Sequence, residues 1–269
     1  MRLSERMKPV CLSFVVRLID TYTAGPPSDP DLKVSVSDTI CRQPVKKPDG
    51  LYVLTDLPPT GTYTVTVRSA RYLPETISVD MNALNPIEPV VCVALIPHPA
   101  YPFSNQATLL RAAIKDASGQ PAAGADMQAF FTDDLHARAR LAQEVKEGSC
   151  TIRLSGLTGR IAEGDAFLFK EKHEEAGEAE VFRIAQLLDE PRSFVLDRPL
   201  QHSYHRGTLL LPVVTAHSDE RGEIVLPFRS CNAKQFDLRL EYSYRGQHFS
   251  QQVTVTEGKT TYLGSIYCG

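Results

Sequence analysis

The chain has 269 residues, long enough for two domains with a further small module. Apolar residues make up 42% and charged residues 23%, a globular profile, and the near-balanced formal charge of −3 argues against a nucleic-acid grip built from clustered basic residues. Nineteen prolines against 16 glycines, among many short apolar alternations, favour strands and turns over helices. In chain order, Met1–Lys8 is charged, but the apolar run from Cys11 to Val16 ends at Arg17 and is too short for a signal-peptide core. No apolar stretch is long enough to span a bilayer as a helix. The expected location is therefore cytoplasmic, with incorporation into a phage-like particle or export by a non-Sec route as the ways out.

Phe14–Ile19 reads as the first strand, rich in β-formers, followed by a loop punctuated by Pro26, Pro27 and Pro30. Leu32, Val34 and Val36 alternate with polar residues, the pattern of a half-buried strand. Pro48-Asp49-Gly50 is a turn, Leu51–Leu54 a strand, and the turn at Pro58–Gly61 leads into the alternation of Tyr63, Val65 and Val67. Thr76–Val79 and Val90–Leu95 complete a set of short strands that reads as a sandwich. Pro97, Pro99 and Pro102 then mark an extended, semi-rigid linker that restricts the orientation of what it joins.

The pattern restarts near Thr108. Leu109–Ile114 and Met127–Thr132 read as strands, Asp126–Asp133 matches Asp31–Asp38, and Arg221–Leu226 matches Asp49–Leu54. Phe236, Leu238 and Leu240 match Tyr63, Val65 and Val67; Val253 and Val255 match Ile77 and Val79; Tyr262–Tyr267 supplies the last strand. Twelve positions separate Asp38 from Gly50, but 89 separate Asp133 from Gly222, an insertion of 77 residues. Within it Gly148–Leu154, Gly164–Phe169, Ala179–Leu187, Ser193–Leu196 and Thr208–Val214 read as strands. Leu135–Val145 fits a strand through Ala137, Ala139 and Leu141, or a helix face through Leu135, Ala139 and Ala142, and the strand is preferred.

The run from Asp49-Gly50 through Tyr52, Leu57, Pro58, Pro59, Gly61 and Tyr63 to Val67, with Tyr72 beyond, resembles the carboxypeptidase regulatory-like domain, a transthyretin-like (prealbumin-like) sandwich. Gly119-Gln-Pro121-Ala-Ala-Gly124-Ala125 resembles a loop of the same family, while Thr60 is an extra residue in its Pro-Pro-Gly turn. Gly-Asp turns, Arg198-Pro-Leu200 and His205-Arg-Gly-Thr208 in the insertion are similar to small barrels of phage-tail and secretion-associated proteins. The expected fold class is all-β: two transthyretin-like antiparallel β-sandwiches in tandem, the second interrupted by a small inserted β-barrel-like module. The expected division is an N-terminal sandwich at 1–97, a linker at 98–107, a second sandwich at 108–133 plus 218–269, and the inserted module at 134–217, joined at a surface loop and so separable.

Six cysteines are present, Cys11, Cys41, Cys92, Cys150, Cys231 and Cys268, none in a C-x-x-C pair, and free thiols are expected in a cytoplasmic chain. His202 and His205 with His217 and Asp219 are the one histidine concentration, but a metal needs convergent ligands and this spacing sits on a loop. Asp29, Asp31, Asp38, Asp49 and Asp56 lie near turns, where capping is the commoner role than calcium binding. Lys170–Glu175 reads as a solvated hairpin tip. No cofactor is expected, and no nucleophile elbow, phosphate loop or zinc-protease helix occurs. The resemblance implies a non-catalytic structural or binding component of a larger assembly, with a bacterial phage-tail-like or contractile injection apparatus as the specific setting and protein partners. The alternatives are a carbohydrate- or ligand-binding adhesive module and a hydrolase with its site at the insertion. The expected partner-binding residues are His202, Tyr204, His205 and Arg206, on a loop that distinguishes the two repeats.

Overall fold

The computed structural model describes residues 10–36, 43–170, 180–229 and 231–269. Met1–Lys8, Asp38, Cys41, the charge run beyond Lys170 and the expected strand start at Ala179 lie outside the described residues. The described chain is all-β, with nineteen strands, one short 3₁₀ turn and no α-helix.

The first half contains β1 (Leu12–Asp20), β2 (Lys33–Val36), β3 (Val45–Lys46), β4 (Leu51–Thr55), β5 (Thr62–Arg68), β6 (Glu75–Asp80) and β7 (Val90–Leu95). They form two sheets, ordered β3-β4-β1-β7 and β2-β5-β6. Strand β1 runs antiparallel to β4 and parallel to β7. On β5 the apolar side chains Tyr63, Val65 and Val67 are buried while the intervening threonines are only partly covered or exposed, as period-two alternation requires. These three pack against Phe14, Val16 and Leu18 of β1 and Tyr52 and Leu54 of β4, so both sheets share one core.

The second half contains β8 (Thr108–Asp116), β9 (Asp126–Phe131), β10 (Ala139–Leu141), β11 (Thr151–Ser155), β12 (Ala166–Lys170), β13 (Val181–Leu187), β14 (Ser193–Leu196), β15 (Leu209–His217), β16 (Glu223–Phe228), β17 (Gln235–Tyr244), β18 (Gln247–Thr256) and β19 (Thr260–Cys268). Strand β8 runs antiparallel to β16 and parallel to β19, repeating the arrangement of β1 with β4 and β7. The antiparallel order β9-β17-β18 repeats β2-β5-β6. The registers also repeat: Val65 faces Ile77 and Tyr63 faces Val79, while Leu238 faces Val253 and Phe236 faces Val255. The second core unites Leu110 and Ile114 of β8, Leu226 of β16 and Ile266 of β19 with Met127 of β9 and Leu238 and Leu240 of β17.

Strands β10, β11, β14, β13, β12 and β15 form a closed six-stranded barrel, closed by pairing of β10 with β15. Its interior holds Leu141, Ile152, Leu154, Phe167, Phe182 and Leu210, among others. Closure removes the free edges that a small sheet would otherwise expose. Strand β15 has two roles. Leu209–Val213 pairs with β12, and Val213–His217 pairs with β9, so the barrel is joined to the β9-β17-β18 sheet by a shared strand, not only by loops.

Residues 135–145 are neither one strand nor one helix. Asp134–His136 makes a 3₁₀ turn capped by Asp133, whose Oδ1 accepts from the Leu135 amide at 2.9 Å, and only Ala139–Leu141 is strand. His136 explains the interruption. Its ring is fully buried, stacks on Phe131 with centroids 4.4 Å apart, and meets Asp133 Oδ1 through Nδ1 at 2.8 Å.

Candidate functional site

The loop holding the expected partner-binding residues follows the barrel's internal pairing and ends at β15. Val145 and Tyr204 exchange backbone hydrogen bonds at 2.9 and 2.8 Å, and the Gly207 amide donates to Leu141 O at 2.9 Å. Ser203 Oγ accepts from the Glu147 amide at 3.0 Å. The loop is thereby tied to both neighbouring segments of the barrel rim.

The four expected residues do not share one environment. His202, His205 and Arg206 are exposed. Tyr204 is buried among the barrel's apolar residues, its ring 4.6 Å from that of Phe169, and its hydroxyl donates to Glu180 Oε2 at 2.9 Å. Glu180 is itself buried, and its Oε1 accepts from the Gln201 amide at 2.6 Å. Tyr204 thus anchors the loop from inside, which corrects its expected place on the surface: an aromatic ring gains more from the barrel core than from solvent. His202, His205 and Arg206 are thus among the side chains that the loop offers to solvent, with Arg198, Gln201 and Ser203.

His217 lies at the far end of β15 from this loop, about 26 Å along the nine-residue strand. It is half-buried, faces Asp126 across the strand pair, and burial lowers its pKa from the usual imidazole value against the opposing pull of Asp126. Asp219 accepts from the amides of Arg221 and Glu223 at 2.9 and 2.8 Å and lies 3.4 Å from His98 Nε2. The structure does not bring His202, His205 and His217 together. Among the described residues no group of three His, Cys, Asp or Glu side chains is placed to hold a metal ion.

The turn aspartates are engaged one by one. Asp29 accepts from the Asp31 amide at 3.0 Å and from the Ser69 hydroxyl, and Asp56 accepts from the Cys11 amide at 3.0 Å. Asp49 and Asp56 both have φ of 60°, a turn conformation that Asp tolerates.

Two polar centres carry no motif in the sequence. Asp20, fully buried at the end of β1, accepts from the hydroxyls of Tyr72 at 2.9 Å and Tyr101 at 2.7 Å, and from the amides of Tyr22 and Thr23. Burial and the neighbouring carboxylate push the Tyr101 phenol up to about 12 and the Tyr72 phenol higher still. Because Tyr101 belongs to the proline-rich segment after β7, this centre pins that segment to the end of β1. Arg111 Nη1 of β8 completes the tie by donating to Pro99 O at 3.0 Å.

The second centre joins the sheet of β1 and β7 to the barrel. Arg17 of β1 pairs with Glu163 and donates to Cys92 Sγ of β7 at 3.2 Å. Burial raises the Cys92 thiol pKa, opposed by Arg17. The sequence signal for each centre is a charged residue in an otherwise apolar strand, Asp20 at the end of β1 and Arg17 within it.

No protein-family model matches the chain, and no curated protein matches it. Among solved structures, the streptococcal ancillary pilin aligns at 12% identity over 96% of this chain and 68% of its own, with a TM-score of 0.26. The Bacillus anthracis TIE protein aligns at 10% identity over 96% of this chain and 50% of its own, with a TM-score of 0.23. The Yersinia pseudotuberculosis adhesin InvE aligns at 14% identity over 91% of this chain and 58% of its own, with a TM-score of 0.15. These superpositions are too loose to carry a function across.

Proposed function

We propose that the chain is a non-catalytic structural or binding component of a larger protein assembly, built as two transthyretin-like sandwiches of the carboxypeptidase regulatory-like kind with the barrel inserted in the second. The division at 1–97, 98–107, 108–133 plus 218–269, and 134–217 belongs to the same proposal. The observation that carries it is the set of ties between modules: Asp20 under Tyr72 and Tyr101, Arg17 on Glu163, and β15 shared between barrel and sandwich. Such ties hold three modules in one orientation, which suits a part that transmits position within an assembly more than a flexible tether.

The setting we propose is a phage-tail-like or contractile injection apparatus assembled in the cytoplasm. The five described cysteines are free, which suits a reducing compartment. The partner surface we propose is the barrel loop, through exposed His202, His205 and Arg206. Native mass spectrometry of complexes captured from the native host tests it. The triple substitution His202→Ala, His205→Ala, Arg206→Ala is expected to lose a partner that the wild type retains; identical partners would reject the loop as the surface.

A second reading, a carbohydrate-binding adhesive module, is supported by a groove of about 460 Å³ beside the β17–β18 hairpin. Asp126, Gln128, Glu241 and His248 line it on the outer face of the β9-β17-β18 sheet, while the stacked rings of Tyr242 and Phe249 pack toward the core on the other face. A row of acceptors and donors on one open sheet face is chemistry that the hydroxyl groups of a sugar can meet. Glycan-array binding abolished by Glu241→Ala would favour this reading over the first.

A further inference from the structure

A separate cavity of about 220 Å³ opens where the two sandwiches and the barrel meet. Its lining draws on all three modules: Thr21 and Pro97 from the first half, Phe131 and Arg229 from the second sandwich, Asp165 and Arg183 from the barrel. Four arginines line it, Arg138, Arg160, Arg183 and Arg229, against one carboxylate, Asp165. Asp165 is buried and paired with Arg229, and it interacts electrostatically with Arg138 and Arg183 as well. A single negative charge therefore sits among three guanidinium groups held on different elements.

Two of the arginines also meet neutral acceptors. Arg183 donates to Gly164 O at 3.1 Å and to Thr215 Oγ1 at 2.5 Å, and Arg138 donates to Arg229 O at 2.9 Å. Asp197 and Glu75 stand within electrostatic reach of Arg183 and offset part of its charge. Burial holds the Arg138 and Arg183 guanidinium groups below the usual arginine value, and for Arg138 the neighbouring Arg229 adds to the effect. Like charges gathered in a poorly solvated space cost stability unless an opposite charge joins them.

We propose that this junction cavity binds a small phosphate-type oxyanion, either the free ion or the terminal group of a small phosphomonoester. The guanidinium fork matches the oxygens of such an ion. Approach from several elements suits an ion with several charged oxygens better than a single carboxylate. The volume lies below the roughly 300–1,000 Å³ of pockets for drug-sized ligands, so the group held here is small. Because its walls come from all three modules, the bound ion also fastens them together, a role additional to any partner contact of the barrel loop.

Isothermal titration of the full chain with inorganic phosphate, at constant ionic strength, tests the site. Saturable binding is expected, weakened about tenfold or more in Arg183→Gln, since charge-assisted bonds are the strong ones. Asp165→Asn, which removes the competing carboxylate, is expected to tighten phosphate binding and to enlarge the phosphate-dependent rise in melting temperature. A parallel titration with glycerol phosphate separates the sources: comparable affinity identifies a phosphomonoester end group, and its exclusion identifies the free ion. Absence of saturable phosphate binding to the wild type overturns the proposal. So does a phosphate-induced rise in melting temperature equal in wild type and Arg183→Gln, because kosmotropic exclusion stabilises any fold. Should Arg183→Gln fail to fold, Arg160→Gln, exposed at the rim, carries the comparison: weaker binding supports the site and unchanged affinity overturns it.

Discussion

Gly50 and Gly222 occupy the same place in the two repeats. The Gly50 carbonyl accepts from the Leu18 amide at 2.9 Å, and the Gly222 carbonyl accepts from the Ile114 amide at 2.7 Å. Both glycines have positive φ, 72° and 75°, and a Cβ added at either would approach the carbonyl of that same partner, to 2.7 Å at Leu18 and 2.3 Å at Ile114. Each repeat thus needs a residue without a side chain where its turn presses on the central strand.

Gly222→Ala and Gly50→Ala should each destabilise the fold, by about 2–4 kcal/mol, from left-handed strain plus displacement of backbone. Gly222→Ala should cost more because its contact is closer. Gly119, with φ of 81° but open space around it, is the comparison; its alanine variant should lose only about 1 kcal/mol. Chemical denaturation of the three variants checks the order, and equal losses would show that crowding is not what selects glycine.

The strand repeat was legible because alternation is a local signal. Tyr63, Val65 and Val67 announce their inward face without reference to any partner, and Phe236, Leu238 and Leu240 do the same. Their registers with β6 and β18 followed from that pattern, since a one-residue slip would turn every apolar side chain to solvent. The arginine-lined cavity was not legible, because Arg138, Arg183 and Arg229 lie far apart in sequence and only tertiary packing brings them to one space. Tyr204 was misplaced for a related reason: a tyrosine between two histidines reads as a polar loop, and its burial depends on Phe169 and Glu180, which belong to other segments. The Leu135–Val145 segment was ambiguous because the tertiary contacts of His136 override a weak local pattern.

Tyr204 and its exposed neighbours should separate stability from recognition. Tyr204→Ala leaves a cavity in the barrel and a buried Glu180 carboxylate without its phenolic donor. It should cost about 3–5 kcal/mol, the range for removing a large buried ring. The triple substitution of His202, His205 and Arg206 by alanine should change stability by less than about 0.5 kcal/mol, as exposed positions do. Thermal denaturation monitored by circular dichroism distinguishes them, and a stable Tyr204→Ala protein would contradict the buried anchor.

The Asp20 centre should make stability fall in strong alkali. The Tyr101 phenol ionises near 10 when unperturbed and is pushed up to about 12 in the fold. A raised folded pKa contributes stability that is complete below the unfolded value and is lost as pH rises from about 10 through 12. Tyr101→Phe should flatten that decline and, at neutral pH, cost about 1.5–3 kcal/mol for a hydrogen bond to a charged acceptor. Melting temperatures of both proteins between pH 8 and 12 check it. Parallel declines would mean that Tyr101 does not report on this centre, leaving Tyr72 as the tyrosine to substitute next.

Thiol reactivity should follow burial. Cys11 and Cys150 are exposed, Cys92 and Cys231 partly covered, and Cys268 buried. Burial also raises the thiol pKa of Cys92, Cys231 and Cys268, which lowers the reactive thiolate fraction near neutrality. Brief alkylation of the native protein followed by peptide mass spectrometry should label Cys11 and Cys150 first among these five. Early labelling of Cys268 would show that the β8–β19 pairing opens readily.

Removal of the barrel should expose a sheet edge. Replacing residues 135–216 by a short Gly/Ser linker deletes nearly all of β15, including the backbone that pairs with β9 over Met127–Phe130. The outer edge of β9 then presents unpaired amides and carbonyls beside the buried ring of Phe130. An uncovered edge of this kind invites pairing with another chain. The shortened protein should therefore self-associate on size-exclusion chromatography and melt at a lower temperature than the full chain. Among the described residues the counterpart edge at β2 carries no fourth strand. Strand β9 is longer, at six residues against four, and more apolar, with Ala129, Phe130 and Phe131 in sequence. A monomeric deletion protein with an unchanged cooperative melt would show that β15 decorates the second sandwich without supporting it.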